Sequence, residues 1–210
     1  MDEIKQTVSF FQGVYTLIIG LSVTEAIRSL VLKEGQSDLK SSVLKLDHLP
    51  SLVGFFCIVL PFYQGMGRHF FSVYINNIEH EANNYSVTLM IDALFFLIEA
   101  SVMFFMSTLL AKDRWRLFFG AIILLMILDS LWAFNVWLFT EDGYFKYWTF
   151  LKMNALLGCL ITIPLLVLCK QGKKIDNYAI YYGMTVNILV AVVNYSVNWN
   201  WYFPPAIRMQ

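Results

Sequence analysis

Residues 86–111 read SVTLMIDALFFLIEASVMFFMSTLLA, and this stretch decides the fold. It is 26 residues long, apolar nearly throughout, and interrupted by two carboxylates, Asp92 and Glu99. About 20 apolar residues in helical form cross the ~30 Å hydrocarbon layer of a bilayer. A carboxylate within such a helix costs about 2.5–3.5 kcal/mol on insertion scales, so it is expected to face protein, water or an ion. The stretch therefore predicts a membrane-spanning helix with one polar side. Asp92 and Glu99 are seven residues apart, close to two full turns. They share a face and differ in depth by ~10 Å.

Five further stretches have the same character. Spans are predicted at about 8–32, 49–74, 86–111, 115–139, 148–169 and 178–201. The expected fold is all-α, a bundle of six transmembrane helices in one polytopic membrane domain over residues 1–210. Composition agrees: 58% of residues are hydrophobic and 14% charged, with a mean hydropathy of +0.60. A soluble domain carries about 25% charged residues. Net charge is zero, which removes nucleic acid from the expected partners. The first stretch is read as a retained helix, because Asp2 and Glu3 flank Lys5 and no small-residue cleavage site follows. Pro61 and Pro164 fall inside apolar stretches and are expected to kink helices. In the longest loop, residues 38–44 could form a short interfacial helix, although ordinary loop fits as well.

Basic residues partition between the connecting segments. Lys33, Lys40 and Lys45 lie in loop one, Lys112, Arg114 and Arg116 around loop three, and Lys170, Lys173 and Lys174 around loop five. Loops two and four carry Glu79, Glu81, Glu141 and Asp142. The Lys/Arg bias predicts loops one, three and five in the cytoplasm and both termini outside, in a plasma or bacterial inner membrane.

Four carboxylates fall within spans: Glu25, Asp92, Glu99 and Asp129. Glu99 is 13 residues from Lys112, and Asp129 is 13 from Arg116. At ~1.5 Å per residue both lie ~20 Å from the same edge, near the midplane, where two acids could share a proton or a cation. Alternatively each acid is a helix–helix contact bonded to Ser, Thr or Asn, worth about 0.6–2 kcal/mol. Arg68 and Asp92 lie in the same outer third and form the expected interhelical pair. His69, its neighbour, reads as an interfacial residue. Glu25 and Arg28 are three apart on span one, where an intrahelical pair is available. Asn187 and Asn194, seven apart on the uncharged span six, form a polar stripe that suits either helix packing or pore lining.

Several chemistries lack their residues. No Gly-x-Ser-x-Gly, His-Glu-x-x-His or P-loop occurs, and no enzyme activity, catalytic residue, metal site or cofactor is expected. Glu25-Ala26-Ile27-Arg28 lacks the paired glutamates and downstream histidines of intramembrane abortive-infection-type proteases. His48, His69 and His80 are the only histidines, and no two fall deep in spans as a haem would need. Cys57, Cys159 and Cys169 sit in apolar stretches without a Cys-x-x-Cys, as core or lipid-facing thiols.

Phe10-Phe11-Gln12-Gly13-Val14-Tyr15 follows Lys5 at the head of span one, and Arg68-His69-Phe70-Phe71 closes span two. Over these dozen or so residues the chain resembles the six-span potassium-channel family of endolysosomes and prokaryotes. That family begins with Arg…Phe-Ser-Asp-Gly and has a histidine- and arginine-rich end to its second helix. The resemblance implies that span one lines a pore, with Leu17 and Leu21 at its constriction. Phe11 and Gln12 replace the family's Ser-Asp, and the family's cytoplasmic N-terminus runs against the charge bias. The expectation is a cation or proton channel, or a transporter-like bundle, that contacts lipid and forms a homo-oligomer. Glu99 and Asp129 would be its central pair, with Arg68–Asp92 and Glu25–Arg28 flanking them. The alternative is a non-transporting sensor or anchor that assembles with a cytoplasmic protein through its basic loops.

Overall fold

A computed structural model describes residues 2–31, 49–75, 85–112, 114–139, 143–170 and 173–203. These form α1 (Asp2–Val31), α2 (Leu49–Phe70), α3 (Tyr85–Ala111), α4 (Trp115–Phe139), α5 (Gly143–Lys170), α6 (Lys173–Val197) and the short α7 (Trp199–Tyr202). A π-helical turn, Phe71–Ile75, continues α2. Every element among the described residues is helical. Six helices are long and apolar enough to cross a membrane: Glu3–Arg28, Leu49–Ile75, Val87–Leu110, Trp115–Leu138, Trp148–Val167 and Tyr178–Val197. The chain is an all-α integral membrane protein.

The helices form a closed ring in the order α1, α3, α4, α5, α6, α2 and back to α1. Each has two principal neighbours, so each buries one stripe and leaves the opposite face to lipid. Phe10, Leu17 and Leu21 of α1 and Leu131, Phe134 and Leu138 of α4 lie on such outer faces. Hydrocarbon is as apolar as these side chains, so their exposure carries no penalty there; close packing and interhelical hydrogen bonds hold the ring together instead.

The ring has two unlike ends. At one end lie the C-terminal halves of α1, α3 and α5 and the N-terminal halves of α2, α4 and α6. Its interior is apolar and filled by Met103, Met106, Leu110, Phe118, Phe119, Ile122 and Leu125, all fully buried. Polar groups there bond within their own helix: Ser22 donates to the Ile18 carbonyl and Ser107 to that of Phe104. Glycines bring α6 close to its neighbours. A Cβ on Gly183 would stand 2.4 Å from the Phe119 ring, and one on Gly54 would stand 2.5 Å from Met184 Sδ. The opposite end, which carries the N-terminus of α1 and all of α7, holds most of the interior polar side chains.

Boundaries differ from the sequence reading at the starts of α1, α5 and α6 and at the end of α6; α5 begins at Gly143 and α6 at Lys173, each five residues before the expected start. The first helix begins at Asp2, six residues before the expected start, because helix continues past the apolar segment. The last span ends at Val197. There Asn198 interrupts the helix, donating its side-chain amide to Asn194 Oδ1 at 2.7 Å, and α7 follows. Pro61 and Pro164 lie inside continuous helices. Residues 38–44, and Lys33, Lys40 and Lys45 of loop one, lie outside the described set.

Candidate functional site

Asp92 gathers three side-chain partners in the interior. Its Oδ2 meets His69 Nε2 at 2.6 Å and accepts from the Tyr74 hydroxyl at 2.7 Å. Its Oδ1 accepts from the Trp132 indole N–H at 2.9 Å. Three elements converge on one carboxylate: the end of α2, the π turn and α4. Aromatic rings seal it. Trp132 stands edge-on to His69 at 4.8 Å, and Phe96 packs on Trp132 at 5.0 Å and on Phe70 at 5.3 Å between centroids.

The expected Arg68–Asp92 pair does not form. Arg68 and His69 point about 100° apart on α2, and it is the His69 direction that meets Asp92. His69 is the inward one, 1% exposed, and it is a buried network member where an interfacial residue was expected. Arg68 turns outward along the bundle end, where its Nε donates to the Trp201 carbonyl at 3.0 Å. Its guanidinium lies over the rings of Phe71 and Trp201, 5.8 Å from each centroid.

About two turns deeper, the two midplane acids occupy different surroundings. Asp129 Oδ2 accepts from the Asn154 side-chain amide of α5. Glu99 is fully buried, and neither of its oxygens has a hydrogen-bond partner among the described residues. It lies close enough to Asp129 for the two charges to interact, but no hydrogen bond joins them. The buried Tyr15 hydroxyl senses both carboxylates and is likewise unpartnered. A partnerless polar group in a dry interior costs about 1–3 kcal/mol, and more for a charged one. Glu99 is therefore the least compensated group of this interior.

Asp129 opens on a cavity of about 50 Å³, walled by Asn154, Asn194, Tyr202, Trp132, Phe96 and Pro61 among others. That volume admits water-sized occupants and needs polar partners, both of which are present. Asn154, Asn194, Pro61 and Phe62 are shared with a second cavity of about 40 Å³, which reaches Asn187. Asn187 is 1% exposed, and both its amide atoms lack partners among the described residues. Asn194 donates to the Tyr202 hydroxyl at 3.0 Å. Burial pushes the Tyr202 phenol well above its ordinary pKa, so it stays protonated beside the cavity. On the other side, Met66 and Tyr202 are shared with an open groove of about 510 Å³ between α1 and α2. Sharing these wall residues, the three spaces lie between the α7 end and Asn187 at mid-bundle.

Glu25 and Arg28 form the expected intrahelical ion pair at 3.5 Å, at the far end of α1 and apart from this chain of cavities. Of the residues singled out by sequence, Asp129 and Asn194 line the first cavity and Asn187 the second, and Glu99 lies within electrostatic reach of the first. Asp92 holds one of its walls through Trp132. Tyr74 and Trp132 escaped the sequence reading. Trp132, three residues after Asp129 and so on its face, carried a usable signal; Tyr74 carried none. Among the described residues no cluster of three His, Cys, Asp or Glu side chains could hold a metal ion. Cys57 and Cys159 are free thiols. The chain matches no protein-family model, no curated protein and no solved structure, so the argument for function rests on this geometry.

Proposed function

We propose that the protein moves monovalent cations or protons, with Asp129 and Asn154 as the mid-membrane binding pair and Glu99 as the acid behind it. The observation that carries this reading is Glu99 itself, a fully buried carboxylate without a hydrogen-bond partner, within electrostatic reach of a second acid that lines a polar cavity. Intramembrane acids placed in this way mark ion or proton paths more often than they serve as packing. With loops one, three and five cytoplasmic, the cavities would open toward the outside.

The test is flux of protons, potassium and sodium into proteoliposomes. The wild type is compared with Glu99→Gln and Asp129→Asn variants that elute as folded protein. Flux that falls in either variant supports the reading. Equal flux in all three sinks the mid-bundle path, and no flux across pH and imposed voltage sinks transport by the chain alone.

A second path is favoured by one observation. Leu17 and Leu21 are 64% and 52% exposed on the outer face of α1, where the channel-family resemblance would place a pore between copies of the chain. Flux that responds to Leu17→Ser or Leu21→Ser, but not to Asp129→Asn, selects that homo-oligomeric arrangement. Absence of flux favours the anchoring role, with the basic loops as the surface that a cytoplasmic partner binds.

A further inference from the structure

The open groove between α1 and α2 has a chemistry of its own. Gln12 and Thr16 of α1, Tyr63, Gln64 and Arg68 of α2, and Tyr202 of α7 line it. Among the described residues Arg68 is the only charged one in the lining. Gly13 and Gly67 make it deep: a Cβ on either would meet nothing within 4 Å. Ser9, Gly13, Thr16 and Tyr63 are exposed on the outer surface of helices that cross the membrane, so the groove faces lipid. The Trp199–Tyr202 helix lies at the same level, and tryptophan and tyrosine mark the headgroup layer of a bilayer.

Arg68 is held ready in this groove. Its Nε is fixed on the Trp201 carbonyl and its plane lies between two aromatic rings, while its terminal nitrogens have no partner among the described residues. A cation at membrane depth is ordinarily matched by a carboxylate. Among the described residues none lines the groove, which leaves the guanidinium open to an anion from outside the chain. A guanidinium fork matches phosphate oxygens bidentately. The hydroxyls and amides of Thr16, Tyr63 and Gln64 suit the ester and glycerol oxygens beside a phosphate. Leu17 and Leu60 are exposed one turn along their helices from Gly13 and Gln64 of the lining, where an acyl chain would lie.

We propose that this groove is a binding site for the phosphate headgroup of an acidic phospholipid, anchored by Arg68. The site stands whether or not ions move through the bundle, since none of its assigned contacts involves Asp129 or Glu99.

The experiment is native mass spectrometry of the full chain released from phosphatidylcholine nanodiscs with and without phosphatidylglycerol. Parallel titrations use glycerol phosphate in the absence of acidic lipid. Wild type should retain one phosphatidylglycerol per chain in preference to phosphatidylcholine. Arg68→Gln should weaken that retention by about ten- to a hundredfold, the range of a charge-assisted hydrogen bond. Gly67→Leu keeps the arginine and puts an apolar side chain into the groove from a position where a Cβ meets nothing within 4 Å, so it should abolish retention in a folded protein even if Arg68→Gln is unstable. Saturable binding of glycerol phosphate at the same residues would keep the site and assign it a water-soluble phosphate ester. Equal retention of both lipids by wild type, or retention unchanged in Gly67→Leu, overturns the proposal.

Discussion

Replacing Asp92 by leucine should be among the most damaging single substitutions in the interior. The structure gives its size. Three donors or near-donors converge on this carboxylate, from His69, Tyr74 and Trp132, at 2.6, 2.7 and 2.9 Å. Interhelical hydrogen bonds in membranes average about 0.6 kcal/mol and reach about 1.7. Three of them set a range of about 2–5 kcal/mol, with the upper part expected. The reason is that leucine offers no acceptor to the Trp132 N–H or the Tyr74 hydroxyl, and a buried donor that loses an acceptor carries a desolvation cost. Asp92→Asn should lose only about 1 kcal/mol, because the amide oxygen still accepts from Trp132 and the amide nitrogen can donate to a neutral His69. The assay is reversible unfolding in mixed micelles, followed by tryptophan fluorescence and extended to a double-mutant cycle. Trp132→Phe should cost about 1 kcal/mol alone and close to nothing once Asp92 is leucine. A cost below about 0.5 kcal/mol for Asp92→Leu would refute the network as a structural anchor, as would strictly additive losses.

Glu99→Leu should raise stability by about 1–3 kcal/mol in the same assay while abolishing flux, since it removes a buried group with no partner. A loss of stability would identify Glu99 as packing glue and count against a transport role. Gly183→Ala should destabilise by about 1–3 kcal/mol, because its Cβ would strike the Phe119 ring, itself fully buried and unable to withdraw. Gly54→Ala should cost less, the obstacle being the flexible Met184 thioether, and Gly13→Ala should be neutral or slightly stabilising in open space. Thermal shifts of the three alanine variants, ranked in that order, check the packing at the α6 seams.

Much of the architecture was legible because a membrane imposes a length. Six apolar runs give six helices, and counting residues from the basic edges placed Glu99 and Asp129 near enough to interact. What depth could not supply was angle. Arg68 and Asp92 share a level, yet the face that α2 turns inward is fixed by α1 and α6, its neighbours in the ring, and the sequence does not state the ring order. The partner of Asp92 was therefore assigned one residue too early, to Arg68 instead of His69. The same gap hid Tyr74, which reaches Asp92 from a π turn that no apolar pattern announces. Asn187 illustrates the converse. Its spacing from Asn194 showed a polar stripe, but only the closed ring turns that stripe inward, onto a cavity, rather than toward a neighbouring copy.

The unlike halves of the bundle bear on how transport would proceed. The polar spaces reach from the α7 end to Asn187, while the other half is closed by the side chains around Phe118, Phe119 and Leu125. A bundle fixed in this form conducts nothing from end to end, so a cation bound at Asp129 could leave across the closed half only through a second arrangement of the helices. α2 is the element suited to provide it. It lines the groove and both cavities. Pro61 removes one of its backbone hydrogen bonds at cavity depth, and the π turn at Phe71–Ile75 leaves the helix end wound differently from the rest. Its N-terminal half, in contrast, is held at Gly54 against Met184 of α6. A hinge at Pro61 would carry Phe62, Gly65 and Met66 across the cavity wall while the packed half stays in place. On this geometry transport through a single bundle would require slow alternating access, and fast channel-like currents would instead indicate a path between copies, along α1.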